Sequence, residues 1–223
     1  MYTKNIWKSD KYYNFNYVKY LPKDYDEKKS YPLVFFLHGA GERGDDLDVA
    51  SRHGFAKHIR EDGAEYPFIY IAPQCPFEKY WGCFIESLGA FLDYICDELP
   101  IDRDRIYLTG FSMGGTGTWM FAMAQPERFA AIAPICGSGI CWNSEIIKHI
   151  PVMMYHGDQD ETVPIYESIT MLKAINKNGG TAELKICYGV GHNAWDIAYE
   201  GDELSNWLLS HKKQDKSVLA NTK

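Results

Sequence analysis

The chain alternates between two hydrophobic patterns that predict different elements. Several short runs are apolar at nearly every position, which is typical of strands buried on both faces of a sheet. These runs lie at 31–39, 66–74, 105–110, 129–137, 151–157 and 182–189. The segment "NFNYVKYLP" (14–22) instead alternates apolar and polar residues. It predicts an antiparallel edge near the N-terminus.

Between these strands, apolar residues recur at helical spacing. The helical segments run from Phe84 to Leu99, from Met113 to Gln125, from Pro164 to the stop signal Asn178-Gly179-Gly180, and over roughly 196–210. Strands that alternate with helices form right-handed βαβ units. The pattern therefore predicts an α/β fold, with a mostly parallel central sheet flanked by helices on both faces.

Length and composition agree with one folded unit. A chain of 223 residues with 46% hydrophobic residues can bury a sizeable core and is short for two full α/β domains. We expect a single domain over residues 1–210 and a polar C-terminal tail over residues 211–223.

The charge balance and the cysteine pattern limit the classes of molecule that the chain is expected to bind. The chain has 23 basic and 30 acidic residues, a net charge of −7 and no run of Lys or Arg, which argues against a nucleic-acid or membrane partner. No segment resembles a signal peptide or approaches the roughly 20 apolar residues of a membrane span.

The six cysteines form no Cys-x-x-Cys pair, which argues against zinc and for reduced thiols. We expect a cytoplasmic protein with no metal or cofactor and a small-molecule partner. The sequence leaves open whether the chain forms a homo-oligomer.

Candidate chemistry collects where the predicted strands end. In parallel sheets, ligands bind beyond the carboxyl ends of the strands. The strand at 105–110 ends at Gly110-Phe111-Ser112, the strand at 151–157 ends before Asp158 and Asp160, and the last strand ends before His192. One face therefore collects a serine, two aspartates and a histidine in that chain order.

The segment "GFSMG" (110–114) places a serine between a strand and a helix. Gly-x-Ser-x-Gly in this context is a nucleophile elbow, in which a strained turn exposes the serine. Gly110 and Gly114 provide the positions without side chains that such a turn needs. We interpret Ser112 as a nucleophile. A glycine-rich turn with an incidental serine is the alternative.

A serine nucleophile needs a base, and the base needs an acid that orients it. His192 lies in a glycine-flanked loop at a strand end, whereas His211 lies in the predicted tail. For the acid, Asp158, Asp160 and Glu161 compete. We choose Asp160, with Asp158 as the second candidate.

Acyl transfer also needs donors for the oxyanion. The predicted donors are the backbone N–H of Met113, which follows the serine, and that of Ala40, in the loop after the first buried strand. Trp81, Trp142 and Trp195 are candidate walls of the substrate pocket, and packing in the core is the alternative for each.

Six segments together resemble a known family. They are "LHGAGERG", "PQCP", "GFSMGGTGTW", "PERFAAIAPICG", "HGDQDETVP" and "GHNAWD". The chain resembles α/β-hydrolases, especially small bacterial carboxylesterases of the phospholipase/carboxylesterase and feruloyl-esterase-like group. The resemblance implies Ser112, Asp160 and His192 as the triad, and Ala40 and Met113 as oxyanion donors.

Many members of the group insert a lid after the fourth buried strand, where this chain has only "SGICWNSEIIKH". We therefore expect a minimal lid and an open, shallow cleft.

The sequence thus predicts a serine carboxylesterase that acts on short-chain acyl or hydroxycinnamoyl esters through an acyl-enzyme. A serine peptidase of the prolyl-oligopeptidase type is the enzymatic alternative. A non-catalytic binding module with a hydrolase-like fold is the alternative outside enzymes.

Overall fold

The computed structural model describes residues 1–213. Eight strands form one sheet, in the order β1-β2-β4-β3-β5-β6-β7-β8. The strands are β1 (Tyr2–Trp7), β2 (Phe15–Tyr20), β3 (Tyr31–Leu37), β4 (Ile69–Pro73), β5 (Ile101–Phe111), β6 (Ala131–Ile135), β7 (Val152–Gly157) and β8 (Ala182–Cys187). β1 and β2 are antiparallel additions at one edge, and the six other strands pair in parallel. The predicted mostly parallel sheet with an antiparallel N-terminal edge is confirmed.

Helices cover both faces of the sheet. They are α1 (Leu47–Ala50), α2 (Phe55–Glu61), α3 (Ile85–Glu98), α4 (Met113–Ala124), α5 (Tyr166–Lys177), α6 (Trp195–Ala198) and α7 (Glu203–Leu209). Residues of α3, α4 and α5 pack in one hydrophobic cluster, and residues of α1, α2, α6 and α7 pack in a second. β3 contributes to both, because Leu33 and Phe35 belong to the first cluster while Val34 and Phe36 belong to the second. Alternate side chains of a strand point to opposite faces, so a strand buried on both faces reads as continuously apolar.

The helix predicted over 196–210 is wrong as a single element. The structure has two short helices there, α6 and α7, and Gly201 between them has φ = 66°. A left-handed residue of this kind ends a helix. The C-terminal segment after α7 begins attached to the sheet, because the Tyr107 hydroxyl donates to the carbonyl oxygen of His211. Residues 214–223 of the predicted tail lie outside the described residues.

Among residues 1–213, no helix has both the length and the apolar character that a membrane crossing requires.

His38, the residue after β3, joins three segments at the carboxyl edge of the sheet. Its Nε2 atom accepts from the N–H of Cys75 (2.9 Å), so the ring proton lies on Nδ1, which donates to Gly39 O (2.7 Å). The Trp81 indole donates to the carbonyl oxygen of His38 (2.9 Å). The ring is fully buried, and this burial lowers the pKa of His38 from 6.5 to about 4.

Two glycines in the left-handed region flank α2 and permit a direct test of packing. Gly54 precedes the helix with φ = 70°, and a Cβ there would lie 2.5 Å from the buried Phe36 ring. Gly63 follows the helix with φ = 67°, and a Cβ added there would have no atom within 4 Å. Gly63→Ala should lower the free energy of unfolding by about 1 kcal/mol, from backbone strain alone. Gly54→Ala should lower it by about 3 kcal/mol, because overpacking against Phe36 adds to a backbone conformation (φ = 70°, ψ = −164°) that is itself almost restricted to glycine. Urea denaturation measures both, and equal losses would contradict the packing argument.

His38 makes stability depend on pH in a defined window. The unfolded chain binds a proton at this residue near pH 6.5, whereas the folded protein binds it only near pH 4. The contribution is therefore fully present above pH 6.5 and is lost as the pH falls towards 4, at about 1.4 kcal/mol per pH unit. In His38→Gln, the slope of unfolding free energy against pH should decrease by about this amount between pH 6 and 4.5. An unchanged slope, or a ring that titrates near pH 6.5 by NMR in the folded wild type, would contradict the assignment.

Candidate active site

Ser112 lies at the junction of β5 and α4, in a backbone conformation that side chains rarely adopt (φ = 55°, ψ = −119°). The turn is held by close backbone packing. A Cβ at Gly110 would lie 2.4 Å from the carbonyl oxygen of Leu37, and one at Gly114 would lie 1.9 Å from the same atom. These two glycines therefore let the ends of β3, β5 and α4 meet under the serine, as the sequence predicts for an elbow.

The serine, histidine and aspartate predicted from the sequence form one hydrogen-bonded chain. Ser112 Oγ lies 2.7 Å from His192 Nε2, and His192 Nδ1 lies 2.7 Å from Asp160 Oδ2. Because a carboxylate only accepts, His192 carries its proton on Nδ1 and leaves Nε2 free to accept from the serine hydroxyl. Ser112 and His192 are partly exposed, whereas the Asp160 side chain is fully buried.

Three N–H groups hydrogen-bond to the Asp160 carboxylate, and a fourth lies close to it. Oδ1 accepts from the backbone N–H groups of Thr162 and Val163, both at 2.9 Å. Oδ2 faces His192 and also His156, whose Nε2 lies 3.2 Å away. Burial by itself raises the pKa of Asp160, but the hydrogen bonds from His192 and from the backbone outweigh it and hold the pKa below its ordinary value. The carboxylate is ionised, as the orienting acid of a base must be.

Asp158, the other candidate acid, has a different partner. Its Oδ1 atom accepts from the N–H of Gly189 at 2.7 Å, and its own N–H donates to Cys187 O. It therefore fixes the start of the loop that carries His192. Gly157 lets this loop approach, because a Cβ there would lie 2.1 Å from the carbonyl oxygen of Gly191.

The two predicted oxyanion donors begin two different elements at the carboxyl edge of the sheet. Met113 is the first residue of α4, so its N–H has no acceptor within the helix. Ala40 begins a short 3₁₀ turn (Ala40–Glu42) and is exposed. In a trans peptide the C=O and the following N–H point in opposite directions. Since Gly39 C=O points at the buried His38 ring, the N–H of Ala40 points away from that ring.

The three predicted pocket tryptophans differ in exposure. The structure corrects the prediction for Trp81, which is 1% exposed and packs between His38 and Gly117 as part of the core. Trp195 packs edge-on against His192, with ring centroids 5.3 Å apart, and against Phe111. Trp142 is 82% exposed, in the connection after β6.

Sequence reasoning missed two residues that lie close to Asp160. His156 is the penultimate residue of β7 and is completely buried, and the pair His156-Gly157 repeats the pair His38-Gly39 that follows β3. That repetition is the signal that could have found it. Cys136, after β6, is also buried, and burial raises its pKa to about 12.

One group of three potential metal ligands is found within residues 1–213. Cys136, Asp160 and His192 each offer a ligand atom, and these atoms lie within 4.8 Å of one another. Three N–H donors already occupy the Asp160 carboxylate. The geometry therefore favours hydrogen bonding over metal binding at this point.

Two surface cavities are lined by residues outside this constellation. One, of about 480 Å³, is lined by residues that include Lys4, Asn16 and Asp46. The other, of about 320 Å³, is lined by residues that include Tyr12 and Glu86.

Comparisons with known proteins agree with the geometry. The chain is 29% identical over 171 residues to a protein of Aspergillus terreus named probable feruloyl esterase C, covering 74% of this chain and 62% of that protein. It thus spans about 62% of the length of this relative.

Two solved structures are similar to the fold. A structure described as a thermostable esterase superposes with a TM-score of 0.86 at 32% identity, covering 95% of this chain and 63% of that one. The feruloyl esterase module from Clostridium thermocellum, in complex with sinapinate, gives a TM-score of 0.72 at 16% identity, covering 90% of this chain and 86% of the module. The second likeness shows the fold alone.

A family model described as Phospholipase/Carboxylesterase matches residues 83–200, which is more than half of the chain. This match includes the serine elbow, the buried aspartate and the histidine loop. The protein belongs to the phospholipase/carboxylesterase family of α/β-hydrolases.

Proposed function

We propose that the protein is a serine carboxylesterase that hydrolyses short-chain acyl or hydroxycinnamoyl esters through an acyl-enzyme. The observation that carries the proposal is the continuous chain from Ser112 through His192 to Asp160, with both links at 2.7 Å and the serine on a strained elbow. Such a chain activates a hydroxyl by general-base catalysis.

Acylation follows from this geometry. His192 Nε2 takes the hydroxyl proton of Ser112 as Oγ bonds to the ester carbonyl carbon. The carbonyl oxygen becomes an oxyanion, which the N–H groups of Met113 and Ala40 stabilise. The bond to the alcohol oxygen then breaks, and the imidazolium of His192 gives its proton to the leaving alkoxide. Ionised Asp160 stabilises that imidazolium throughout.

Deacylation repeats the steps with water. His192 removes a proton from water while the oxygen attacks the acyl carbon. The second tetrahedral oxyanion collapses, the bond to Ser112 Oγ breaks, and His192 returns the proton to Oγ. The products are a carboxylic acid, an alcohol and free enzyme.

The substrate class is inferred from the cover over the site. The connection between β6 and β7 holds only a 3₁₀ segment (Cys141–Ile147), so it offers little apolar surface to a long acyl tail. Each buried CH₂ group contributes about 0.8 kcal/mol, and a shallow site therefore gains little beyond the first few carbons. Trp142 and Trp195 offer aromatic surface to a flat acyl group, and the name of the Aspergillus terreus relative supports the hydroxycinnamoyl choice.

Covalent labelling tests the nucleophile. A p-nitrophenyl alkylphosphonate should add once per chain, release one equivalent of p-nitrophenol and modify the peptide that contains Ser112. Ser112→Ala should abolish both labelling and ester hydrolysis while leaving the melting temperature within a few degrees. Peptide mass spectrometry measures the site, and modification at another residue with activity lost in parallel would contradict the proposal.

The same preparation should be tested with p-nitrophenyl acetate to palmitate, methyl hydroxycinnamates and aminoacyl anilides. We expect kcat/KM to be highest for acetyl to butyryl or hydroxycinnamoyl esters and to fall for octanoyl and longer chains. A preference for palmitoyl esters would contradict the open site, and a preference for anilides would favour a peptidase.

Two neighbouring aspartates provide a matched pair for the acid. Asp160→Asn should lower kcat by about three to four powers of ten, because His192 loses its orientation and the imidazolium loses its counter-charge. Asp158→Asn keeps an oxygen that can accept from Gly189 N–H, so its kcat should stay within about threefold of wild type. Steady-state kinetics on active-site-titrated protein measures both. The reverse order of effects would assign the acid to Asp158.

A further inference from the structure

We propose that His156 is a positioning residue for the acid of the active site: its Nε2–H holds the Asp160 loop at the Val163 carbonyl and lies beside the Asp160 carboxylate, so that Oδ2 faces His192. This inference rests on the proposed function, since it concerns the same serine, histidine and aspartate. It adds a residue that never touches the substrate and acts through Asp160.

The position of the ring proton follows from its partners. His156 Nε2 lies 2.8 Å from the carbonyl oxygen of Val163 and 3.2 Å from Asp160 Oδ2. A carbonyl oxygen can only accept, so Nε2 carries a proton and donates it to Val163, with the Asp160 carboxylate beside the same N–H. The side chains of His156 and Asp160 are both fully buried, so water does not compete for this hydrogen bond.

His156 ties the carboxylate to the rigid part of the fold. Asp160 lies in the loop between β7 and α5, and its Oδ1 atom is held only by N–H groups of the same loop, those of Thr162 and Val163. His156 lies on β7 itself and contacts both Asp160 Oδ2 and the carbonyl of Val163. The sheet therefore fixes the direction of Oδ2 relative to His192.

A second contact fixes the plane of the His156 ring. Nδ1 lies 2.7 Å from the hydroxyl oxygen of Ser168, which is 1% exposed and lies on α5. The ring thus spans from α5 to Asp160. A hydroxyl can donate or accept, so this contact holds the ring in either protonation state of Nδ1.

The groups that face Asp160 determine how loss of this hydrogen bond changes the pH profile. They are His192, His156 and Cys136, and the raised pKa of Cys136 keeps its thiol neutral in the working range. On its other side, His192 contacts Ser112 and Trp195, which carry no charge. Without the His156 donor, the charge of Asp160 is less compensated and favours imidazolium at His192. The acid limb of kcat/KM then moves to higher pH.

Two substitutions separate the hydrogen bond from packing. His156→Gln can place its amide N–H near the position of Nε2, whereas His156→Asn reaches only the position of Nδ1. We expect His156→Asn to lower kcat by about 10- to 100-fold with little change in KM, and to move the acid limb to higher pH. His156→Gln should recover most of the loss and the wild-type limb. Active-site titration with the phosphonate normalises each rate to folded, competent enzyme.

Equal losses in the two variants, or wild-type kcat and pH limb in His156→Asn, would overturn the proposal and leave His156 as a packing residue. If His156→Asn does not fold, ¹⁵N NMR of wild-type protein decides. Protonated Nε2 at His156 supports the proposal, and a bare Nε2 overturns it. Failure of the proposed function is distinct, because wild-type protein would then hydrolyse no ester and Ser112 would not be labelled.

Discussion

The carbonyl oxygen of Leu37 lies so close to Gly110 and Gly114 that no side chain fits at either position. This packing joins the end of β3, the end of β5 and the start of α4 under Ser112, and it holds the serine at a positive φ angle. A single residue held in this region costs on the order of 1–3 kcal/mol, which the surrounding packing must offset. The rest of the site depends on this junction, because it sets where the hydroxyl and the N–H of Met113 lie.

Two buried histidines, each followed by a glycine, fix the loops that meet at the serine. His38 turns the Gly39 carbonyl towards its own ring and so turns the N–H of Ala40 the other way. His156 holds the loop of Asp160 through the Val163 carbonyl. In each pair the glycine allows a neighbour to approach: the Phe111 ring at Gly39, and the backbone of Gly191 at Gly157. The side chains proposed to be catalytic thus lie on loops, while their directions are set from strand ends.

Much of this arrangement could be predicted from the sequence, because it depends on local chemistry and on one rule of topology. Parallel strands bring their carboxyl ends to one edge, so Ser112, Asp160 and His192 could be grouped before any distance was known. Asp160 could be preferred over Asp158 from the sequence, but both follow the same strand, and only the fold shows that Asp158 accepts from Gly189. The prediction that Trp81 lines the substrate pocket was wrong, because the exposure of a side chain depends on which loops pack over it. The break between α6 and α7 was missed because an apolar pattern continues across Gly201, whose φ angle the pattern does not report.

We propose that the site binds an oxyanion between the loop after β3 and the start of α4. The crystal structure of the Ser112 phosphonate adduct tests it most directly, because the phosphonyl oxygen stands in for the oxyanion of the tetrahedral intermediate. We expect that oxygen within about 2.7–3.1 Å of the backbone nitrogens of both Ala40 and Met113. An adduct whose phosphonyl oxygen points to solvent, with either nitrogen out of hydrogen-bonding range, would contradict this proposal.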